Sequence, residues 1–335
     1  EAPHIYKING YYYLLIAEGG TGFNHCVTIA RSKNVEGPYE NNPNNPILTH
    51  RHLGRDFPVW NVGHADIVET PENDWYLVCL ASRPYDGYSN LGRETFLAEM
   101  IWEDGWPVVN PGEGRLLEEA PHKLPLVPYQ RPEKRMLAQD SPEYVYLRNP
   151  YMENYDKRVR NGWLRLHPTN VDLTMHDSPT YLGIRQESMY YDFQAKADAN
   201  LKDGEEAGIV ILQSDEYSMR LVITPSKDTY EVKMITILGG EENVVKSINV
   251  SNSEVVFGFR GIRQKLTAYL LVDNSEVVVA DDIDTHYLST EVAGGFVGCT
   301  LGIYAYSPHS KDKGYVDFEW ITMKDLEKHA QKSLF

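Results

Sequence analysis

The 335-residue sequence has few cysteines and no long apolar run, and each scarcity excludes a class of protein. Its three cysteines, Cys26, Cys79 and Cys299, are widely spaced and lie in apolar or strand-like runs. They therefore predict buried thiols and exclude a disulfide framework or a cysteine metal site. No stretch approaches the roughly 18 consecutive apolar residues that a membrane-spanning helix needs, so we expect no membrane partner.

Basic residues are also scarce. The sequence has 32 Lys and Arg against 48 Asp and Glu, which gives a formal net charge of −16. This charge repels phosphate backbones, and no cluster of Lys and Arg makes a local exception, so nucleic acid is excluded as a partner. A neutral sugar polymer suits the surface better, because aromatic faces and hydrogen bonds recognise it. The oligomeric state and the compartment stay open.

Sustained helical periodicity is absent from the first part of the chain. Short runs rich in Tyr, Val, Ile and Leu occur instead between turn signals made of Gly, Pro and Asn. These runs cover residues 11–17, 26–30, 67–69, 75–80 and 95–102. Strands this short and this regularly spaced predict a propeller or a sandwich.

Residues 121–142 interrupt the alternation with prolines and charges, which makes this segment the best domain boundary in the chain. Beyond it, strand-like runs such as residues 190–197 and 296–305 are separated by loops of Gly, Asp and Asn. Their spacing of about ten residues predicts an antiparallel β-sandwich. The predicted domains are a first β-domain over 1–128, a linker over 129–142, a sandwich over 143–323 and a helical tail over 324–335.

Three stretches of the first domain carry candidate chemistry. Residues 1–7 read Glu-Ala-Pro-His-Ile-Tyr-Lys, residues 61–70 read Asn-Val-Gly-His-Ala-Asp-Ile-Val-Glu-Thr, and residues 91–97 read Leu-Gly-Arg-Glu-Thr-Phe-Leu. In this order they resemble the general-acid segment and two further stretches of glycoside hydrolase family 43, which contains β-xylosidases and α-L-arabinofuranosidases. The family usually has glycine where Ala2 stands.

The second domain resembles the sandwich attached to xylosidases of the same family. The similarity lies in residues 162–166, 178–186, 206–209 and 294–298. Together the two resemblances imply an all-β protein in which a five-bladed β-propeller, represented here from the acid-bearing blade onward, precedes a jelly-roll-like β-sandwich.

The resemblance also implies a reaction, the hydrolysis of a glycosidic bond with inversion. One carboxylic acid protonates the leaving oxygen, and a second carboxylate activates water on the opposite face of the sugar. Glu1 matches the acid. The Asp base precedes the acid in the family, so we expect it upstream of this chain, in an N-terminal propeller segment of the same polypeptide or of a separate chain. The expected substrate is a xylo- or arabino-oligosaccharide, and no cofactor is required for the chemistry.

Four further side chains are assigned to the site by the resemblance alone. Arg93 matches an arginine that projects into the sugar pocket, and Thr21 matches a position that lines it. His64 matches a residue that points to the propeller axis, near the sugar or, through water, near a structural calcium ion. Phe296 lies in a loop that walls off the active site from the second domain.

Each of these residues also has a plainer interpretation. Without the resemblance, Glu1 is a solvated carboxylate, His64 a core histidine and Arg93 half of a surface ion pair. Thr21 equally suits a turn, and Phe296 suits the core of the sandwich. For the chain as a whole, the rival functions are a non-catalytic carbohydrate-binding fragment and a structural fragment that docks against another chain.

Overall fold

A computed structural model describes residues 1–120, 122–125, 127, 131–273 and 275–327. It forms two compact units, Glu1–Tyr129 and Gln130–Phe335. The strands are β1 (His4–Ile8), β2 (Tyr11–Glu18), β3 (Cys26–Ser32), β4 (Glu40–Asn41), β5 (Trp60–Glu69), β6 (Trp75–Ser82), β7 (Glu94–Glu103), β8 (Trp106–Val109), β9 (Lys134–Met136), β10 (Tyr155–Asp156), β11 (Leu164–Leu166), β12 (Thr180–Arg185), β13 (Tyr190–Asn200), β14 (Glu206–Leu212), β15 (Tyr217–Ser226), β16 (Thr229–Leu238), β17 (Glu241–Val250), β18 (Glu254–Ile262), β19 (Lys265–Val272), β20 (Ser275–Asp284), β21 (Thr300–Tyr306) and β22 (Tyr315–Asp325).

Helix is almost absent from the described ranges. It consists of the one-turn helix α1 (Thr290–Ala293) and two 3₁₀ turns, Met152–Asn154 and His286–Leu288. None of these has the length and apolarity needed to cross a membrane. The prediction of an all-β fold is confirmed.

The first unit contains two four-stranded antiparallel sheets. Their strand orders are β1-β2-β3-β4 and β5-β6-β7-β8, so each sheet is a meander of sequential strands, as in a propeller blade. Alternation along β2 places Tyr13 and Leu15 on one face, where they share a buried core with Ile67 of β5 and Leu77 of β6. The apolar face of each sheet is thus covered by the other.

Asp66 joins β1 to β5 across these two sheets. The Tyr6 hydroxyl donates to Asp66 Oδ1 at 2.8 Å and accepts a hydrogen bond from the Ile67 amide at 3.1 Å. His4 Nδ1 lies 3.0 Å from the same carboxylate oxygen. Burial and, less strongly, the hydrogen bond to Asp66 raise the pKa of Tyr6 to about 12, so its hydroxyl stays a donor. The strand that follows Glu1 is therefore fixed to the strand that carries His64.

The second unit is a two-layer sandwich. The larger sheet has the order β10-β11-β22-β13-β18-β19-β20, with β9 also paired to β22, and the smaller sheet has the order β12-β21-β14-β15-β16-β17. Along β13, Tyr191, Phe193 and Ala195 enter a core shared by both sheets, while Asp192 and Gln194 lie on the opposite face. This alternation explains why the sandwich could be predicted from sequence.

An ionic network lies on the outer face of the larger sheet. The Asp317 side chain is only 3% exposed, and it accepts hydrogen bonds from Arg165 Nε at 2.7 Å and Nη2 at 2.9 Å. Arg160 Nη1 reaches the same carboxylate at 3.2 Å. Each arginine also stacks on an aromatic ring, Arg160 on Trp163 and Arg165 on Tyr315. One buried carboxylate thus pairs with two partly exposed guanidinium groups.

The three cysteines lie inside the two units. Cys26, Cys79 and Cys299 are all buried, and none is in a disulfide. Burial raises the pKa of the Cys79 and Cys299 thiols to about 12, so both are neutral and poorly reactive near neutral pH. The prediction of buried thiols is confirmed.

Two stretches differ from the predicted domain organisation. The predicted linker, residues 129–142, contains β9, which pairs with β22 and so belongs to the sandwich. The helical tail was expected from residue 324, but β22 continues to Asp325 because it stays paired with β13 as far as Tyr191. Residues 328–335 of that tail lie outside the described residues.

Candidate active site

Glu1 is held through its backbone by β2. Its nitrogen donates to the Ala17 carbonyl oxygen at 2.9 Å, and its carbonyl oxygen accepts from the Ala17 amide at 2.9 Å. Ala2 follows with φ of +44°, a left-handed conformation that favours glycine, which accounts for the glycine that the resemblance led us to expect. The backbone of Glu1 is fixed while the residue is exposed, so its carboxyl can reach a bound molecule.

His64 is an extra residue in β5. Gly63 pairs with Leu80 and Ala65 pairs with Cys79, so His64 has no opposite residue on β6. Its φ is +48°, which is costly for a non-glycine residue inside a strand and marks a β-bulge. The bulge leaves His64 exposed between two buried neighbours, so it is not a core histidine.

A second irregularity precedes it at Asn61. The pairing of β5 with β6 also shifts between Trp60 and Gly63, and Asn61 has φ of +59°. The Asn61 carbonyl oxygen lies 2.9 Å from Nδ1 of His25, a side chain that precedes β3 and is 1% exposed. Because a carbonyl oxygen can only accept, Nδ1 of His25 carries the proton.

His25 lies within range of the charges of three predicted site residues. Burial lowers its pKa, and the hydrogen bond to Asn61 opposes that shift. The charges of His64 and Arg93 lower the pKa further, whereas the charge of Glu1 raises it. Three side chains from separate segments therefore act electrostatically on one buried imidazole.

Arg93 and Thr21 occupy the connections next to these strands. Arg93 is half-buried and immediately precedes β7, and its neighbour Glu94 is engaged in a two-pronged ion pair with Arg83 at 2.8 and 2.9 Å. Thr21 lies in the β2–β3 connection that ends at His25, and a turn hydrogen bond from the His25 amide to the Gly22 carbonyl closes this connection at 2.9 Å. Its contact with a sugar stays a prediction.

Phe296 belongs to the second unit. It follows Gly294 and Gly295, which have φ of +75° and +74°, and it is 57% exposed, so it is not a core aromatic of the sandwich. Gln213 Nε2 donates to the Gly294 carbonyl oxygen at 3.0 Å and anchors this loop. Its role as a wall of the active site stays a prediction.

Sequence reasoning did not find His25. A lone histidine between a Gly-rich turn and a strand has no motif of its own, and buried histidines bonded to backbone are common. Its importance follows from the bulges of β5, which bring Asn61 and Gly63 against the ring. A bulge at non-glycine residues has no reliable sequence signal, so this side chain could be identified only from the structure.

We expect Gly63→Ala to destabilise the first unit. A Cβ built at Gly63 would lie 2.4 Å from the His25 ring, and the ring cannot move away easily because it is buried and bonded to Asn61. Overpacking of this kind costs about 1–3 kcal/mol, which chemical denaturation would detect. Gly22→Ala is the matched control, because a Cβ there meets no atom within 4 Å. Equal stability of the two variants would contradict the close packing of His25 on Gly63.

The described part of the chain offers no cluster of acidic side chains to hold a calcium ion near His64. Within the described ranges, no three His, Cys, Asp or Glu side chains cluster closely enough to hold a metal ion. Calcium takes about six to eight oxygen ligands, whereas His64 offers only a nitrogen. A calcium ion at this position would need its ligands from water, from carbonyl or hydroxyl oxygens, or from residues outside the described ranges.

Two family models match the chain. The model described as glycosyl hydrolases family 43 matches residues 1–107, and the model described as beta xylosidase C-terminal concanavalin A-like domain matches residues 138–324. Among curated relatives, the chain is 38% identical to a xylosidase/arabinosidase of Butyrivibrio fibrisolvens, over 97% of this chain and 64% of the relative. It is 33% identical to a non-reducing end alpha-L-arabinofuranosidase of Bacteroides ovatus, over 98% and 63%.

Solved structures give the same result. A family 43 protein from Bacillus licheniformis superimposes with a TM-score of 0.90 at 30% identity, covering 97% of this chain and 65% of that one. A xylan beta-1,4-xylosidase from Bacillus halodurans does so with a TM-score of 0.89 at 29% identity, covering 96% and 64%. The chain thus spans somewhat less than two thirds of the length of the relatives it matches.

Proposed function

Because the chain belongs to glycosyl hydrolase family 43, we propose that the polypeptide that carries it is a glycosidase. It would release terminal xylose or arabinofuranose from xylan-type oligosaccharides with inversion. The observation that carries this proposal is the action of Glu1, Arg93 and His64 on one buried imidazole, His25. A carboxyl, a guanidinium and an imidazole near one point are the groups that acid catalysis and the binding of sugar hydroxyls require.

In the proposed reaction, Glu1 is the general acid. Its carboxyl gives a proton to the departing glycosidic oxygen, while a carboxylate on the other face of the sugar takes a proton from the attacking water. In an inverting enzyme the two carboxyl groups lie about 6.5–9.5 Å apart, which leaves room for that water. We expect the base from a segment outside these 335 residues, since the matched relatives are longer than this chain.

Substrate binding is assigned to side chains beside the acid. Arg93 would bind adjacent sugar hydroxyls, because its planar guanidinium offers several donors in a fixed geometry and keeps its charge. The exposed His64 would bind a further hydroxyl, and Thr21 would line the same pocket. Phe296 is proposed to limit the pocket to the end of a chain. The reaction needs no metal, and no step depends on calcium.

Hydrolysis of chromogenic glycosides tests the proposal. The polypeptide that includes the neighbouring segments of the parent protein should cleave an aryl β-D-xyloside, an aryl α-L-arabinofuranoside or both. Proton NMR at early times should show the product anomer of inverted configuration, because water attacks the sugar directly. Retention of configuration would contradict the mechanism.

The same assay addresses the rival function. A non-catalytic carbohydrate-binding protein should bind xylo- or arabino-oligosaccharides in calorimetry and hydrolyse neither glycoside. The matched relatives named xylosidase/arabinosidase and arabinofuranosidase favour the glycosidase. Binding without turnover by the longer polypeptide would favour the rival instead.

A further inference from the structure

His25 makes two contacts with β5 and one with the connection between β4 and β5. Its Nδ1 donates to the Asn61 carbonyl oxygen at 2.9 Å, and its ring lies so close to Gly63 that a Cβ there would reach it at 2.4 Å. Its own carbonyl oxygen accepts from the Thr49 hydroxyl at 2.9 Å. The side chain is therefore held in one position, directly behind the irregular part of β5.

This part of β5 contains two strained residues. Asn61 and His64 both have positive φ, at +59° and +48°, and the pairing with β6 shifts on either side of Gly63. Left-handed conformations at non-glycine residues persist only where the surroundings determine them. Among the described contacts, the His25 ring is bonded to the carbonyl of Asn61 in the first bulge. The ring also packs on Gly63, which directly precedes His64 in the second bulge.

We propose that His25 is a positioning residue that fixes the two bulges of β5 and thereby holds His64 toward the substrate. The proposal rests on the proposed glycosidase function. His25 does not touch the substrate, because it is 1% exposed. It acts through the Asn61 carbonyl and the Gly63 backbone, and His64 is the next residue along the strand.

The chemistry of imidazole suits His25 to fixing the two bulges of β5. Burial lowers the pKa of His25, so the ring is neutral near neutral pH and keeps one proton, on Nδ1. Its Nε2 is buried and has no hydrogen-bond partner in the part of the chain that the structure describes. The hydrogen bond from the ring to β5 thus depends on Nδ1 alone.

Three variants of the whole polypeptide separate positioning from stability. His25→Leu removes the hydrogen bond to Asn61 and keeps side-chain bulk, whereas His25→Asn keeps a donor near the position of Nδ1. His50→Leu is the matched control. His50 is also buried, and its Nδ1 lies 2.8 Å from the Val59 carbonyl oxygen, but its Nε2 also accepts from the Leu116 amide at 2.9 Å. The charges that act on its pKa are those of His52 and Arg115.

The expected kinetic result is a change in KM with a smaller change in kcat. His25→Leu should raise KM about tenfold, the effect of losing roughly one hydrogen bond to the sugar. His25→Asn should recover most of this loss, and His50→Leu should lower stability with KM unchanged. In a His64→Ala background, His25→Leu should raise KM by less than about twofold, since both changes remove one interaction.

Hydrogen exchange measures the same effect without turnover. His25→Leu should speed amide exchange selectively in residues 61–65, whereas His50→Leu should affect β5 only at its start, next to the Val59 carbonyl that His50 contacts. Additive effects of His25→Leu and His64→Ala on KM, or equal exchange of β5 in the His25 and His50 variants, would overturn the proposal. If the unsubstituted protein hydrolyses neither glycoside, the proposed function fails, and the exchange measurement still decides the role of His25.

Discussion

Glu1→Gln is expected to lower kcat/KM by about 100- to 10,000-fold on substrates with poor leaving groups, the range that general acid catalysis contributes. Glutamine keeps the shape of the side chain but has no acidic proton to give to the departing oxygen. The loss should be smaller for aryl glycosides whose phenol leaves readily, because such a phenolate needs little protonation. Steady-state kinetics on a series of aryl glycosides would measure this dependence on leaving group.

The control for this prediction is Glu18→Gln. Glu18 is an exposed carboxylate at the end of β2, one residue after the Ala17 that pairs with Glu1. The Glu18→Gln variant loses the same charge near the same strand, so its activity reports any general effect of charge on the site. A loss at Glu1 that is independent of the leaving group, or matched by Glu18→Gln, would exclude Glu1 as the acid.

Asp317→Ala is expected to destabilise the second unit by about 3 kcal/mol, since removal of one partner of a buried ion pair leaves the other uncompensated. The carboxylate is 3% exposed and accepts hydrogen bonds from both Arg165 and Arg160. Those arginines are partly exposed, so water recovers some of the lost interaction and limits the effect. Denaturant unfolding followed by circular dichroism would measure the change.

An exposed carboxylate of the same unit gives the comparison. Asp140 is 98% exposed and pairs with Lys157, so Asp140→Ala should change stability by less than about 1 kcal/mol. If both aspartates give equally small effects, the network around Asp317 contributes no more than an ordinary surface pair. Activity should be unaffected by either change at temperatures where the protein stays folded.

The strands that sequence predicts well are those with one buried face. In β13 and β16, apolar residues alternate with polar ones or run continuously through the core, so hydrophobic pattern and structure agree. β17 offers no such pattern, because it is exposed along nearly its whole length. Backbone pairing with β16 forms this strand.

Positions of irregular backbone were predicted less well. β5 was expected only over residues 67–69, because the two bulges break the alternation that would have marked its first half. The strand expected from residue 296 begins instead at Thr300, since Gly294 and Gly295 adopt left-handed conformations and lead into a loop. In both places a backbone conformation, which leaves little trace in composition, decided the outcome.

The residues of the candidate site also fall into a group that the sequence identified and a group that it did not. Glu1, His64 and Arg93 could be named from motifs, because acid, imidazole and guanidinium groups are recognisable by residue type. His25 could not, since its contacts are to backbone atoms of Asn61 and Gly63 that come close only after β5 has folded. Residue types suited to acid catalysis and sugar binding can be recognised in sequence, whereas a side chain whose contacts are to distant backbone atoms cannot.

The extra residues in β5 also mean that strand length selects which side chains are presented to the solvent. Neighbouring side chains of a strand point to opposite faces, but Gly63 already pairs with Leu80 and Ala65 with Cys79, so deleting His64 alone would leave the pairing on both sides of the deletion unchanged. The exposed imidazole would then be lost from the surface, while the buried neighbours of His64 would keep their partners on β6. One inserted or lost residue in this strand can therefore add or remove an exposed side chain without disturbing the buried face on either side.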